Sequence, residues 1–389
     1  MTSDSYDVVI IGGGPAGLSA GLTLSRARRR VLVVDAGQPR NARAAHAHNY
    51  LGREGVPPLE LLAIGRDEVA GYGGEVRSGT VTAVRRLDAR GGAVGAGNDS
   101  VDGARALADD DPADRARAEG ANGRGFRVTV ADDTGDSTVE ARRVLLATGI
   151  VDDLPPIPGV AQRWGRDVLH CPYCHGWEAR GRRIGIIGAG PGSIHQALLW
   201  RQWSDDIVLF TNDVVPLTDV DRMKLAARGI AVVAGKVARL VVADDALAGV
   251  ELAGETVVAV QFAVVLPIAH ADDSIVATLG LHAVEQRMGD QLMGSVLPRT
   301  GVPGATDVPG VWVVGNVGDL RAQVIVAAAD GVMVGAQINF DLVDEDIARA
   351  VAAYPFTPEL EQEVCERVLG DRRHGIDRSE EHTSELQSP

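Results

Sequence analysis

Hydrophobic positions in this chain gather in short unbroken runs. Val8-Val9-Ile10-Ile11, Val31-Leu32-Val33-Val34 and Ile207-Val208-Leu209-Phe210 contain no polar residue, and Arg183 to Ile187, Arg143 to Leu146 and Val311 to Val314 are similar. Such runs mark parallel strands covered on both faces rather than half-exposed ones. Between them lie stretches of helical character: Leu18 to Ala27, Ile194 to Trp203 and about Ala322 to Asn339. A last helix is predicted from Thr357-Pro358-Glu359, with threonine as cap and proline in the first turn. Leu360, Val364 and Val368 form its stripe and Gly370 stops it. Strand, helix, strand occurring twice predicts an α/β protein with two Rossmann-like doubly wound domains.

The loops inside these units sharpen the picture. After Ile11 comes Gly12-Gly13-Gly14-Pro15-Ala16-Gly17, and Asp35 closes the next strand 23 residues after Gly12. In this context Gly12 permits the tight turn, Gly14 lets a pyrophosphate approach the backbone, and Gly17 lets helix and strand pack closely. The helix N-terminus would hold the phosphates and Asp35 a ribose. A second copy reads Gly188-Ala189-Gly190-Pro191-Gly192-Ser193, followed after the next strand by Thr211-Asn212-Asp213. Here Ser193 stands at the third glycine position, so the fingerprint is degraded. Asp213 could serve the ribose of NADH. No arginine lies between Thr211 and Asp221 to meet a 2′-phosphate, which disfavours NADP. A domain that keeps the fold and binds no dinucleotide is the alternative.

Composition narrows the partners. In 389 residues, 38 Lys+Arg against 53 Asp+Glu give a net charge of −15, which argues against nucleic acid or an anionic membrane surface. The N-terminus lacks the basic stretch of a secretory signal. Asp330 interrupts the apolar residues 323–338, so no span of about 20 apolar residues is expected. With only 3 cysteines there is no disulfide scaffold, and the expectation is a soluble cytoplasmic protein.

The chemistry concentrates in Cys171-Pro172-Tyr173-Cys174-His175. Two residues between cysteines, at the start of a helix or turn, allow a small disulfide ring. A helix N-terminus or an imidazolium would lower a thiol pKa. His170 and His175 flank the pair as candidate acid/base groups. A zinc site would need a second ligand pair, and Cys365 stands alone, so no metal is expected. A glutaredoxin-type domain can carry the same four residues, but here they lie between two dinucleotide-type units. His46 and His48 read as surface histidines.

Taken together, GGGPAG at 12–17, Ala147-Thr148-Gly149, CPYC beside a second dinucleotide loop and the late Gly-Asn-Val turn resemble the thioredoxin-reductase-like flavoproteins, over about residues 5–340. HCPYCHGWE, from His170 to Glu178, resembles the FAD-dependent dithiol oxidases of the gliotoxin and holomycin type, in which oxygen rather than a nicotinamide is the usual electron partner. The resemblance implies FAD contacts at Gly12, Gly13, Gly14, Pro15, Ala16, Gly17, Asp35, Asn49, Val81, Thr148, Gly149, Asn316, Gln323 and Val324. It implies catalysis by Cys171, Cys174 and His175, with Cys174 next to the flavin. Gly188, Gly190, Ser193 and Asp213 make the candidate nicotinamide loop. It further implies a homodimer acting on a dithiol or disulfide, either a small molecule or a thioredoxin-like protein. Two positions depart from the reductases: Asn316 stands where they usually have aspartate, and His175 where they have aspartate after the second cysteine. Three functions follow: an oxygen-coupled dithiol oxidase, an NAD(P)H-dependent thioredoxin-disulfide reductase, or a flavin redox sensor without turnover.

The implied organisation is an FAD domain in two pieces, 1–151 and 269–340, with the CxxC domain over 152–268 inserted and a helical extension over 341–377. Residues 88–125, with Gly91-Gly92, Gly95, Gly97 and Asp109-Asp110-Asp111, read as a disordered insertion. Residues 378–389 resemble the translation of a sequencing-adapter oligonucleotide. Resequencing the locus is expected to diverge from these codons; a genomic match through them would make the tail native.

Overall fold

The computed structural model describes residues 4–87, 125–354 and 357–369. The expected tail, Gly370 and all of the expected insertion except Gly125 lie outside them.

The elements, in chain order, begin with β1 (Ser5–Ile11), α1 (Pro15–Arg26), β2 (Val31–Asp35), α2 (Pro58–Gly71), β3 (Glu75–Ser78), β4 (Thr80–Arg86), β5 (Phe126–Asp132), β6 (Gly135–Leu146) and β7 (Val151–Asp153). Next come α3 (Val160–Arg163), β8 (Val168–Leu169), α4 (Pro172–His175), β9 (Ile184–Ile187), α5 (Gly192–Trp200), β10 (Ile207–Phe210), α6 (Asp219–Ala227) and β11 (Ala231–Val233). Then follow β12 (Val237–Ala243), β13 (Ala246–Leu252), β14 (Val257–Ala259), β15 (Phe262–Val264), β16 (Ile268–His270), β17 (Val284–Met288) and β18 (Gln291–Val296). The chain closes with β19 (Val311–Val313), α7 (Val324–Ala353) and α8 (Pro358–Leu369).

The apolar runs become the centres of two parallel sheets. In the first, the order is β3-β2-β1-β6, with β19 parallel to the C-terminal half of β6 and β4-β5 continuing antiparallel from its N-terminal half. Val8, Val9 and Ile10 are fully buried, each worth about 1.5–3 kcal/mol. The second sheet runs β11-β10-β9-β15-β8, beside a β12-β13-β14 meander. Both are doubly wound. Strand order reverses at β1/β6 in one and β9/β15 in the other, the places where such sheets receive ligands. The Gly12–Gly17 loop leaves β1 and Ala147-Thr148-Gly149 leaves β6, so both border the first switch point. Gly188–Ser193 leaves β9 at the second.

The two chain crossings between these sheets, β7 and β16, pair antiparallel. The β17-β18 hairpin joins them through a parallel β16-β18 pairing.

Three expectations are corrected. The helix expected over Ile194 to Trp203 ends at Trp200, because Ser204 Oγ donates to Arg182 O (2.5 Å) and Gly181 N–H to Trp203 O (3.0 Å), turning the chain back. The helix expected to stop near Asn339 runs to Ala353; no proline or glycine intervenes before Pro355, and Glu345 pairs with Arg349 one turn on. That helix, α7, is by length and composition apolar enough to cross a membrane, contrary to the expected lack of such a span. Its first half is packed in protein: a Cβ on Gly331 would lie 2.2 Å from Ala16 O, and Asp330 is paired with Arg299 (2.7 Å).

The first glycine loop meets each demand of its fingerprint. Gly12 has φ +111°, and a Cβ there would stand 2.3 Å from Ala147 O. On Gly17 it would stand 2.0 Å from Gly12 O, whereas on Gly14 it would meet nothing within 4 Å. Gly17→Ala should therefore cost about 1–3 kcal/mol through overpacking, and Gly12→Ala adds left-handed strain. Gly14→Ala should leave the melting temperature of the flavin-free protein unchanged and still weaken flavin retention. Thermal unfolding followed with flavin absorbance checks this; a flavin-free Gly14→Ala protein that melts early would contradict it.

Candidate active site

The redox pair sits on a very short element. α4 is only four residues long and follows the two-residue edge strand β8. Pro172 in its first turn favours the helical start, and Cys171 is its extended N-cap, whose carbonyl accepts from Cys174 and His175 N–H (3.2 Å each). Two features hold it. Tyr173 meets Trp203 edge-on (5.6 Å between rings), and Trp203 lies 6.2 Å from buried Trp200. A Cβ on Gly176 would lie 2.4 Å from Pro172 O and 2.7 Å from the Trp203 ring, so only glycine fits after His175. From the first domain, Asn49, left-handed at φ +61°, donates its Nδ2–H to Tyr173 O (2.8 Å).

Both cysteines are half-buried free thiols with sulfurs 2.7 Å apart. The pair divides its proton unequally. The Cys174 hydrogen bond, the N–H groups of Cys174 and Tyr173 and the nearby Arg40 charge pull Cys171 down to about 7, against the cost of burial. The same hydrogen bond and burial push Cys174 well up. Cys171 is thus the thiolate and nucleophile near neutral pH. Arg40 is held by a bidentate bond to Asp152 of β7 (2.7 and 2.6 Å); neither residue stood out in the sequence.

Of the flanking histidines, His170 is lowered to about 4, by burial and then by the Arg40 charge. It is neutral at pH 7. His175 is lowered by burial, with Glu178 opposing. Neither of its buried ring nitrogens has a hydrogen-bond partner among the described residues. A neutral buried imidazole beside the thiols is a ready proton acceptor. His48 is also corrected: it is half-buried, with Nδ1 on Glu54 Oε1 (2.6 Å) and Nε2 facing Glu178 Oε1 (3.5 Å).

The cofactor positions fall into two groups. Gly12, Gly13, Gly14, Pro15, Ala16, Gly17 and Asp35 line one loop, where a Cβ on Gly13 would strike the Asp35 carboxylate (2.5 Å to Cγ). Val81 lies on edge strand β4 at a register shift, and Thr148 and Gly149 follow β6. Asn316, Gln323 and Val324 surround the start of α7. Asn316 spends its Nδ2 hydrogens inside this turn, on Asp319 O and Ala322 O (3.0 Å each), leaving only its amide oxygen for a ligand. Asp330, in the sequence only a break in an apolar run, anchors the turn through Gly315 N–H (2.8 Å). The open face at Gly14, the uncapped start of α1 and the Asp35 carboxylate fit an adenine dinucleotide.

The second loop is closed from within. Gln291 of β18 accepts the Gly192 N–H on its Oε1 (3.0 Å) and lies where a Cβ on Gly190 would touch it (3.2 Å). Buried Ser193 accepts the Ala189 N–H (3.0 Å). Two of the N–H groups that would cradle a second dinucleotide's phosphates, those of Ala189 and Gly192, are thus taken by side chains. Asp213 is exposed and left-handed (φ +57°) beside Asn212, which bridges Gly188 O and Val237 N–H.

A family model described as pyridine nucleotide-disulphide oxidoreductase matches residues 6–331. The chain belongs to this family. The family is FAD-dependent and acts on sulfur groups, which accords with the loop at 12–17 and the cysteine pair. Among solved structures, that of HlmI is 43% identical, covers 90% of this chain and 96% of that one, and superposes with a TM-score of 0.73. The thioredoxin reductase sirT of Leptosphaeria maculans is 28% identical over 88% of this chain and 96% of that protein. A probable thioredoxin reductase of Arthroderma benhamiae is 31% identical over 53% of this chain, and the match spans only 44% of that protein.

In the reduced protein, iodoacetamide should modify Cys171 first. Its rate should rise with pH about a midpoint near 7, because the thiolate fraction grows as pH passes the lowered pKa. Mass spectrometry of the modified peptide reads this; a midpoint near the ordinary thiol value of 9.0 would contradict it.

Proposed function

We propose that this protein oxidises a dithiol to a disulfide, with molecular oxygen as the final electron acceptor and without a nicotinamide. The observation that carries this reading is Gln291, whose side chain takes the Gly192 N–H at the head of α5. The α1 loop of the same chain keeps its face open at Gly14. Similarity to HlmI and the His-Gly pair after Cys174 support the same reading.

The chain's own residues then act as follows. A substrate thiolate attacks the oxidised pair at Cys171, forming a mixed disulfide and releasing the Cys174 sulfur as a thiolate. The second substrate thiol attacks the substrate sulfur, closes the product disulfide and expels Cys171. With its pKa near 7, Cys171 is a good leaving group from a mixed disulfide. His175 takes the proton that the second thiol loses. FAD, when bound, supplies the two-electron acceptor that returns the pair to its disulfide and passes the electrons to oxygen. The balance is two thiols and one oxygen in, one disulfide and one hydrogen peroxide out.

The names of the reductase relatives favour the reverse direction, in which a nicotinamide reduces thioredoxin or a small disulfide. Anaerobic stopped-flow mixing separates the two. NADH or NADPH should bleach the flavin at least a hundredfold more slowly than dithiothreitol does. Bleaching by either nicotinamide as fast as by the dithiol would overturn the oxidase reading.

A further inference from the structure

The site has a buried base with no partner and an unexplained polar chain leading away from it. His175 carries two ring nitrogens out of solvent and without hydrogen bonds among the described residues. Glu178, three residues on in the turn after α4, is 40% exposed; its Oε1 faces His48 Nε2 at 3.5 Å. The other nitrogen of His48 lies 2.6 Å from Glu54 Oε1, and Glu54 is 65% exposed. Glu54 is itself fixed, because its second oxygen accepts the Asn49 N–H (2.8 Å). Donor and acceptor groups thus succeed one another from Glu178 through His48 and Glu54 to bulk water, and the charges of Glu178 and His48 reach His175 beside the thiols. His48 belongs to the first domain and Glu178 to the second, so the chain forms only where Asn49 docks on Tyr173.

The geometry points to His48 as a positioning residue and proton relay: Glu178, His48 and Glu54 carry the protons of thiol oxidation from His175 to solvent. The inference rests on the thiol-oxidising reading above. Oxidation of the two substrate thiols frees two protons with each electron pair, and reduction of oxygen to peroxide takes two up again, so protons leave the thiols in one half of the cycle and the full turnover releases none. An imidazole that accepts a proton on Nε2 and gives one up from Nδ1 passes it on without net change. A carboxylate on either side stabilises the transient imidazolium, and the exposed Glu54 returns the proton to water. The charged and titratable groups around His175 are Glu178 and His48, with His170 and the two cysteines on its own segment. Arg40 acts on both cysteines and, with Asp152, on His170.

The bland reading makes His48 a staple of the 48–54 loop. Glutamine separates the two, since its amide can still donate to Glu54 but cannot be protonated. With dithiothreitol in air, His48→Gln should form peroxide at least tenfold more slowly at pH 7, with KM within twofold. Flavin absorbance and melting temperature should be unchanged. His48→Ala should be slowed alike, and added imidazole should restore its rate in a saturable manner. In histidine-labelled NMR spectra the His175 titration midpoint should rise in His48→Gln, because His48, whenever it carries the passing proton, disfavours a second one on His175. This readout needs no turnover and stands even if oxygen proves not to be the acceptor. A His48→Gln protein as fast as the native one would overturn the relay. So would a slow His48→Ala protein indifferent to imidazole, or an unmoved His175 midpoint. Should His48→Ala not fold, Glu54→Gln takes its place, with a fivefold or greater rate loss expected and an unchanged rate contradicting the relay.

Discussion

A four-residue helix on the end of a two-residue strand cannot hold a pair of sulfurs in place by itself, since so short a helix is marginal in water. The hydrogen bond from Asn49 Nδ2 to Tyr173 O supplies the missing constraint. It fixes the cysteine segment to a loop of the first domain, which brings His48 to Glu178 and leaves Cys171 and Cys174 at a defined place between the sheets. Strain at Asn49, held left-handed, is offset by the Glu54 carboxylate that takes its N–H. The acid/base surroundings of the thiols therefore belong to the contact of two domains rather than to the CPYC segment alone.

The two Rossmann-like halves use one loop design toward opposite ends. In the first, close approach of backbone to backbone at Gly12 and Gly17 clears a face at Gly14. In the second, Ser193 and Gln291 turn the same N–H groups inward. A serine hydroxyl and a glutamine amide do for α5 what phosphate oxygens do at an open loop, at no cost in bound ligand. The hairpin that delivers Gln291 is rooted in the sheet made by the two domain crossings, so closure of the second loop and the course of the chain between domains are one feature.

Much of this was readable beforehand. The buried strands announce themselves as runs of Val and Ile, and the glycines of the first loop by spacing. The cysteine pair and the degraded second fingerprint were equally plain. What escaped was long-range and polar. Gln291 lies 99 residues from Gly192, on a hairpin whose first strand is exposed along its whole length and so carries no burial signal. His48 looks like any surface histidine until folding places Glu178 beside it. Asn316 seemed free to meet a ligand, and its donors turned out to be spent on its own turn. Helix ends depend on the same kind of contact at Trp200, where the Ser204 hydroxyl decides, and past Asn339 the absence of glycine or proline lets the helix continue.

In the proposed reaction electrons enter from a dithiol and leave to oxygen. Parallel recording of oxygen uptake and free thiol in the native holoenzyme, with dithiothreitol as the only reductant, tests it most directly. Two thiols should be lost per oxygen consumed, at a rate indifferent to added NADPH or NADH. Absence of uptake until a nicotinamide is supplied, with electrons then appearing as new thiols on thioredoxin, would contradict it.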